Sequence, residues 1–179
     1  MNEKIRKALN NQVNAELYSS YLYLSMASHF KRLSFDGFAR WMEVQAIEEL
    51  THAMKFFNFI NERGGKADLT TIEGPPTSWD SPLSTFEAVY NHEVKVSGLI
   101  YDLVNLATEE KDHATVNFLQ WFVTEQVEEE TTADSLVQKL KLIGSEGGGL
   151  YLLDRELALR VFTPPPGTTI LAGAGGGAA

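Results

Sequence analysis

Apolar and other inward-type positions recur along most of this chain at spacings of three, four and seven, which place them on one face of a helix. From about Asn2 to Lys31 the stripe runs Ile5, Leu9, Gln12, Glu16, Ser20, Tyr23, Ala27, Phe30, with no proline or glycine to break it. Leu33 to Asp36 reads as a turn, with Ser34 or Asp36 as the N-cap of a second helix. That helix carries Phe38, Gln45, Glu49, His52, Phe56 and Phe59 on one face and stops at Gly64-Gly65. Residues 64 to about 81 lose the period and contain Gly74-Pro75-Pro76. Extended, such a segment spans roughly 60 Å, more than the roughly 40 Å of a 28-residue helix. It can therefore cross the whole molecule and start helix three at the end where helix two began. Ser81-Pro82 is a good start for it, a serine cap with proline at the first helical position.

Helix three runs to about Glu110 with Phe86, Val89, Glu93, Val96, Ile100, Val104 and Ala107 on one side. A tight Lys111-Asp112 junction leads to helix four, from His113 to about Leu142, with Phe122, Gln126, Glu129, Ala133, Leu136 and Leu140 in its stripe. The pattern predicts an all-α fold: a four-helix bundle with one long crossover between helices two and three. The bundle occupies 1–145. A short fifth helix falls within 146–162, read from Leu150 to Val161 after the glycines 147–149, and 163–179 is a Pro/Gly/Ala-rich tail expected to be mobile.

Each of the four seams holds a glutamate where an apolar residue would serve packing: Glu16, Glu49, Glu93 and Glu129. Glu16 and Glu129 lie about 21–25 Å from one end of the bundle and Glu49 and Glu93 about 18–23 Å from the other. All four reach mid-height and can share one site. Burying unpaired carboxylates is costly, and two divalent cations would neutralise four of them, with His52 as a neutral donor and Gln126 close by. Such oxygen-rich ligation suits iron or manganese, with zinc able to compete. Two adjacent ions bridged by a carboxylate can pass two electrons to oxygen or peroxide. Tyr23, seven residues after Glu16, is either a core aromatic or a redox participant. His29, His92 and His113 converge on nothing comparable.

The totals narrow the function classes. A net charge of −9 disfavours nucleic acid or an anionic membrane surface as a partner. The absence of cysteine excludes disulfides, thiolate zinc sites and iron–sulfur clusters. Charges begin at once in Met1 to Lys7, and no apolar run reaches membrane-spanning length, so the chain reads as cytoplasmic.

Together, Asn14-Ala15-Glu16, Glu48-Glu49-Leu50-Thr51-His52, Glu93, Phe118 to Trp121 and Glu125 to Glu130 resemble the non-haem prokaryotic ferritins, over about residues 2–163. The resemblance implies a hollow shell, typically of twenty-four copies, that oxidises Fe(II) with oxygen or peroxide at a ferroxidase centre and stores Fe(III) mineral. It assigns the first iron to Glu16, Glu49 and His52, and the second to Glu93 and Glu129, with Glu49 bridging and Gln126 on the oxygen-binding side. Tyr23 matches the tyrosine beside the centre. Glu48, Glu125 and Glu128 match a weaker third iron position, with Glu129 shared, and the fifth helix would line the four-fold axis. Bacterioferritins and rubrerythrins carry a second Glu-x-x-His pair, where this chain has Gln126 to Glu129. Leu50 stands where a haem-ligating methionine would follow the bridging glutamate, so no haem is expected. A small non-storage di-iron oxidase or peroxidase, and a purely structural bundle, are the competing readings.

Overall fold

A computed structural model of the chain describes residues 1–144 and 147–164, and the expectation of a mobile tail falls, from Pro165 onward, outside the described residues. Among the described residues five helices follow in order: α1 (Glu3–Arg32), α2 (Asp36–Glu62), α3 (Pro82–Glu109), α4 (His113–Ile143) and α5 (Gly147–Leu157). The first four match the expected boundaries to within one or two residues. α1 and α2 pack along their length as one antiparallel hairpin, and α3 and α4 as another. The hairpins join through α1 and α3, and α5 lies against α2. Among the described residues no helix is long and apolar enough to cross a membrane.

Local chemistry sets these boundaries. Three helix ends close by the same device: one residue turns left-handed, and the next donates its N–H to a carbonyl five residues back. Ser34 (φ 61°), Gly64 (φ 70°) and Lys111 (φ 56°) are the left-handed residues. The bonds they permit are Phe35 to Phe30, Gly65 to Ile60 and Asp112 to Ala107, at 2.9–3.0 Å. At the start of α3, Ser81 and Ser84 form a reciprocal capping box followed by Pro82. Asp112 caps α4 by accepting from Thr115 N, and also takes both guanidinium nitrogens of Arg63, at 3.1 and 3.2 Å. One carboxylate thereby starts α4 and ties it to the end of α2.

The crossover runs the full height of α1. Arg6 bonds Lys66 O and Asp68, Asn14 reaches Thr70 and Thr71, Ser25 donates to Pro76 O, and His29 packs edge-on against Trp79. α3 therefore starts beside the far end of α1, as the length argument required.

Two expectations need correction. Neither Ser34 nor Asp36 caps α2, which has no local side-chain cap; Ser34 is committed to the left-handed turn. Asp154, from α5, accepts from Phe38 N at 3.0 Å instead. α5 also begins at Gly147 and ends at Leu157, so the glycines expected before it form its first turn. It stops short of Val161 because its exit bonds tighten (Leu159 N to Glu156 O, Arg160 N to Leu157 O) and Arg160 turns across to α2.

The buried apolar side chains form two clusters. One gathers Tyr23, Met26, Phe30, Phe38, Met42, Phe86 and Leu140 with Leu153 and Leu157 of α5; the other gathers Leu9, Phe56, Ile60, Ile100, Leu119 and Phe122. A polar layer divides them, holding the four seam glutamates.

α5 docks by close backbone approach, since a Cβ placed on Gly37 would overlap the Asp154 carbonyl. Gly37→Ala is therefore expected to push α5 off α2 at a cost of about 1–3 kcal/mol. A lowered thermal midpoint together with faster amide exchange at Leu153 and Leu157 would show it; an unchanged midpoint would refute this account of the docking.

Candidate metal centre

The polar layer is assembled from one helix turn of each of the four long helices. Glu16, Glu49, His52, Glu93, Gln126 and Glu129 are all buried. Helical spacing of three puts Glu49 and His52 on one face of α2, and His52 Nδ1 lies 3.5 Å from Glu49 Oε2. Glu16 reaches them from α1, so that the three residues each offer a ligand atom within 4.8 Å of the others.

On the opposite side Glu93 enters from α3. It accepts from the Tyr23 hydroxyl and, on its other oxygen, from Gln126 Nε2 at 3.4 Å. Gln126 donates also to Glu93 O and Ser97 Oγ, and Ser97 in turn donates to Glu130. Glu129 is linked back to α2 by Gln45, whose amide nitrogen lies 2.8 Å from Glu129 Oε2 and 3.3 Å from Glu49 Oε1. Gln45 thus aligns one carboxylate from each hairpin. Gln12, one turn before Glu16, holds Glu16 Oε1 at 2.9 Å. The sequence placed Gln12 and Gln45 in the seams without giving them a task. Their spacing of four from Glu16 and Glu49 is the signal that would have found them.

The layer holds far more negative capacity than positive. Burial pushes Glu16 up to about 8, reinforced by the charge of Glu49 and opposed by His52 and Gln12. Burial likewise raises Glu49, Glu93 and Glu129, and each is raised further by another member of the set: Glu129 acts on Glu49, Glu49 on Glu93, and Glu93 on Glu129. Tyr23 is pushed well above its ordinary value by burial and by Glu93. Glu16 Oε2 and Gln45 Oε1 are buried without a hydrogen-bond partner. Orphaned oxygens facing a cluster of carboxylates and one imidazole fit a divalent cation with a preference for oxygen and nitrogen.

The remaining candidates are placed differently. Glu48 is half-buried and paired with Arg160, Glu125 is half-buried, and Glu128 is exposed. Among the described residues these three do not bring ligand atoms together as Glu16, Glu49 and His52 do. His92 bonds Ser19 Oγ at 2.8 Å, and burial lowers its ring to about 4. His29 is buried against Phe30 and Trp79.

Comparison with known proteins gives one consistent answer. The ferritin-like domain model matches residues 6–143. A protein named bacterial non-heme ferritin from Bacteroides fragilis is 46% identical over 160 residues, covering 89% of this chain and 99% of that protein. One of the same name from Staphylococcus aureus is 36% identical over 162 residues, covering 90% and 98%. The structure of an open pore ferritin from the hyperthermophilic archaeon Archaeoglobus fulgidus superposes with a TM-score of 0.89 at 56% identity, covering 90% of this chain and 99% of that one.

The charge balance predicts how the metal-free protein answers pH. A carboxyl whose folded pKa is raised binds more protons folded than unfolded, so its stabilisation is full below about 4.5 and is lost as pH rises through the folded value. His92 has the opposite sign, but its effect is confined between about 4 and 6.5. From pH 6.5 to 8 the carboxylates act alone, and Glu16 by itself accounts for about 1–2 kcal/mol. The thermal midpoint of chelator-treated protein should therefore fall across that window, and Glu16→Gln should flatten the fall. A midpoint that rises from pH 6.5 to 8 would contradict the protonated layer.

Proposed function

The chain belongs to the ferritin family, and on that premise we propose that it is an iron-storage protein with ferroxidase activity, using Fe(II) as substrate at this layer. The observation that carries the reading is a set of four carboxylates and a histidine, buried at mid-height of the bundle and split between two facing hairpins. Glu16, Glu49 and His52 take the first Fe(II). Glu93 and Glu129 take the second, and Glu49 bridges, since it faces Glu16 on one side and, through Gln45, Glu129 on the other.

Binding displaces the protons that burial holds on these carboxyls, and the two charges of each ion replace them. Each Fe(II) then gives up one electron, two in all, which together with two protons reduce oxygen to hydrogen peroxide, or hydrogen peroxide to two waters. Gln126 and Tyr23 hold Glu93 from two directions and keep its oxygens aimed into the layer. Tyr23 is also an oxidisable side chain in direct contact with a ligand, Glu93. The apolar clusters above and below exclude bulk water, so oxidation occurs in a dry, preshaped space.

Products then pass to a store enclosed by many copies of the chain. We read the assembly as a homo-oligomeric shell and the compartment as the cytoplasm, on the strength of the ferritin relatives. The small non-storage oxidase reading is not favoured, because the relatives are named ferritins over nearly their whole length.

Aerobic loading with excess Fe(II), followed by gel filtration, should give iron far beyond about two per subunit, co-eluting with a very large particle. Stoichiometric iron on a small oligomer would instead mean an oxidase. Under anaerobic conditions Fe(II) should bind tightly at about two per subunit, with proton release. Glu49→Ala should keep the fold and slow oxidation by more than the roughly 10–100-fold that loss of an outer support of a metal ligand costs. Above about pH 8, where that carboxyl ionises, its metal-free form should melt higher, because one repelling buried carboxylate is gone. Oxidation at the wild-type rate in that variant would remove Glu49 from the centre.

A further inference from the structure

The proposed ligands are supported in two different ways. Glu16 and Glu49 are each held by a glutamine one turn earlier on the same helix, Gln12 and Gln45. No glutamine stands one turn before Glu93, where α3 has Val89. Its amide comes instead from α4: Gln126 Nε2 lies 3.4 Å from Glu93 Oε2 and 3.3 Å from Glu93 O. The same nitrogen lies 3.3 Å from Ser97 Oγ, and the Ser97 hydroxyl is donated to Glu130 Oε1. Ser97 follows Glu93 by four on α3, and Glu130 follows Gln126 by four on α4, so each pair shares one helix face. α4 donates to α3 at one level, and α3 donates back to α4 a turn further on. Gln126 and Ser97 are buried, whereas Glu130 is half-buried and borders a surface hollow with Tyr90 and Asp134.

The directions in this square are fixed. A serine hydroxyl has a single hydrogen, and Glu130 takes it. Ser97 can then only accept from Gln126, so the nitrogen of the amide faces it. Turned over, the amide oxygen would meet three acceptors, Ser97 Oγ, Glu93 O and Glu93 Oε2, with no hydrogen among them. Buried polar atoms left in that state are costly.

We propose that Ser97 and Glu130 are positioning residues for the Fe(II) held by Glu93: they lock the amide of Gln126, and Gln126 aims the Glu93 carboxylate. The inference rests on the reading of Glu93 as a ligand of the second ion. Tyr23 holds the other Glu93 oxygen, so the carboxylate is fixed from both sides. An ion drawing on Glu93 Oε2 competes with the amide for that oxygen, and the bonds to Glu93 O and Ser97 then keep Gln126 in place. Glu130 suits the outer end of the chain, because it satisfies the buried hydroxyl while the rest of its carboxylate stays open to water.

The test uses the intact assembled protein and Zn(II), which is redox-inert, so that binding is read without oxidation. Calorimetric titration gives the affinity of each ion, and Glu93→Gln identifies the step that belongs to Glu93. Ser97→Ala should weaken that step about 10–100-fold, the cost of losing an outer support of a metal ligand, and leave the other step as it was. Glu130→Ala should weaken the same step, because the Ser97 hydrogen loses its acceptor and is free to turn against the Gln126 amide. Glu130→Gln, whose carbonyl still accepts from Ser97, should stay within about threefold of the wild type.

An unchanged Glu93 step in Ser97→Ala, or both steps weakened alike with a lower melting midpoint, would overturn the positioning role and leave the metal centre intact. Equal losses in Glu130→Gln and Glu130→Ala would also overturn it, since charge and not the hydrogen bond would then be at work. Fewer than about two ions per subunit in the wild type, or both ions kept in Glu93→Gln, would instead defeat the centre as read, and the clamp with it.

Discussion

The structure depends on one constraint: carboxylates in the middle of a packed bundle must be neutralised. A four-helix bundle of this size could run one continuous apolar core from end to end. This one is interrupted, and its two hydrophobic clusters are separated by Glu16, Glu49, Glu93, Glu129 and His52. Without metal the layer is held by protons and by the amides of Gln12, Gln45 and Gln126. Such a layer costs stability and is tolerated because the clusters on either side supply enough burial. The expense sits where the chemistry is, as in other sites where strain or unpaired charge is kept for function.

The same constraint explains the precision of the frame. Four ligands from four helices meet only if the helices keep their register, and the register is held at the ends. Left-handed turns at Ser34, Gly64 and Lys111 stop the helices sharply, the Ser81 capping box starts α3, and Asp112 binds Arg63 across the bundle end. The crossover adds a further restraint, since its bonds to Arg6, Asn14 and Ser25 climb α1. A slip of one residue in any helix turns its glutamate by about 100° and removes it from the layer.

Outside the layer lies a graded rim. Glu48, Glu125 and Glu128 are progressively more open to solvent, and here the protein's own cations compete for the carboxylates. Among the described residues no lysine or arginine pairs directly with the carboxylates of the buried layer. On the rim Arg160 and Lys55 are present. Acidic residues with similar side chains therefore differ in what holds them when no ion is bound.

Much of this was legible along the chain. Period, breakers and cap residues give four long helices and a crossover, because these signals act over a few residues at a time. The depth argument for Glu16, Glu49, Glu93 and Glu129 needed only helix rise and antiparallel order, and the buried layer lies at the height it indicates. Other features depended on residues far apart in sequence. The N-terminus of α2 is capped by Asp154, 116 positions away, in a helix admitted by the missing side chain of Gly37. The glycines 147–149 are helical although their propensity opposes it, since α5 is held by Leu153 and Leu157 in the core. Arg160 on Glu48 joins two charged residues 112 positions apart. Local periodicity decides which residues face inward, but charge pairing and close approach act through space, so only the folded chain decides which inward and rim residues meet.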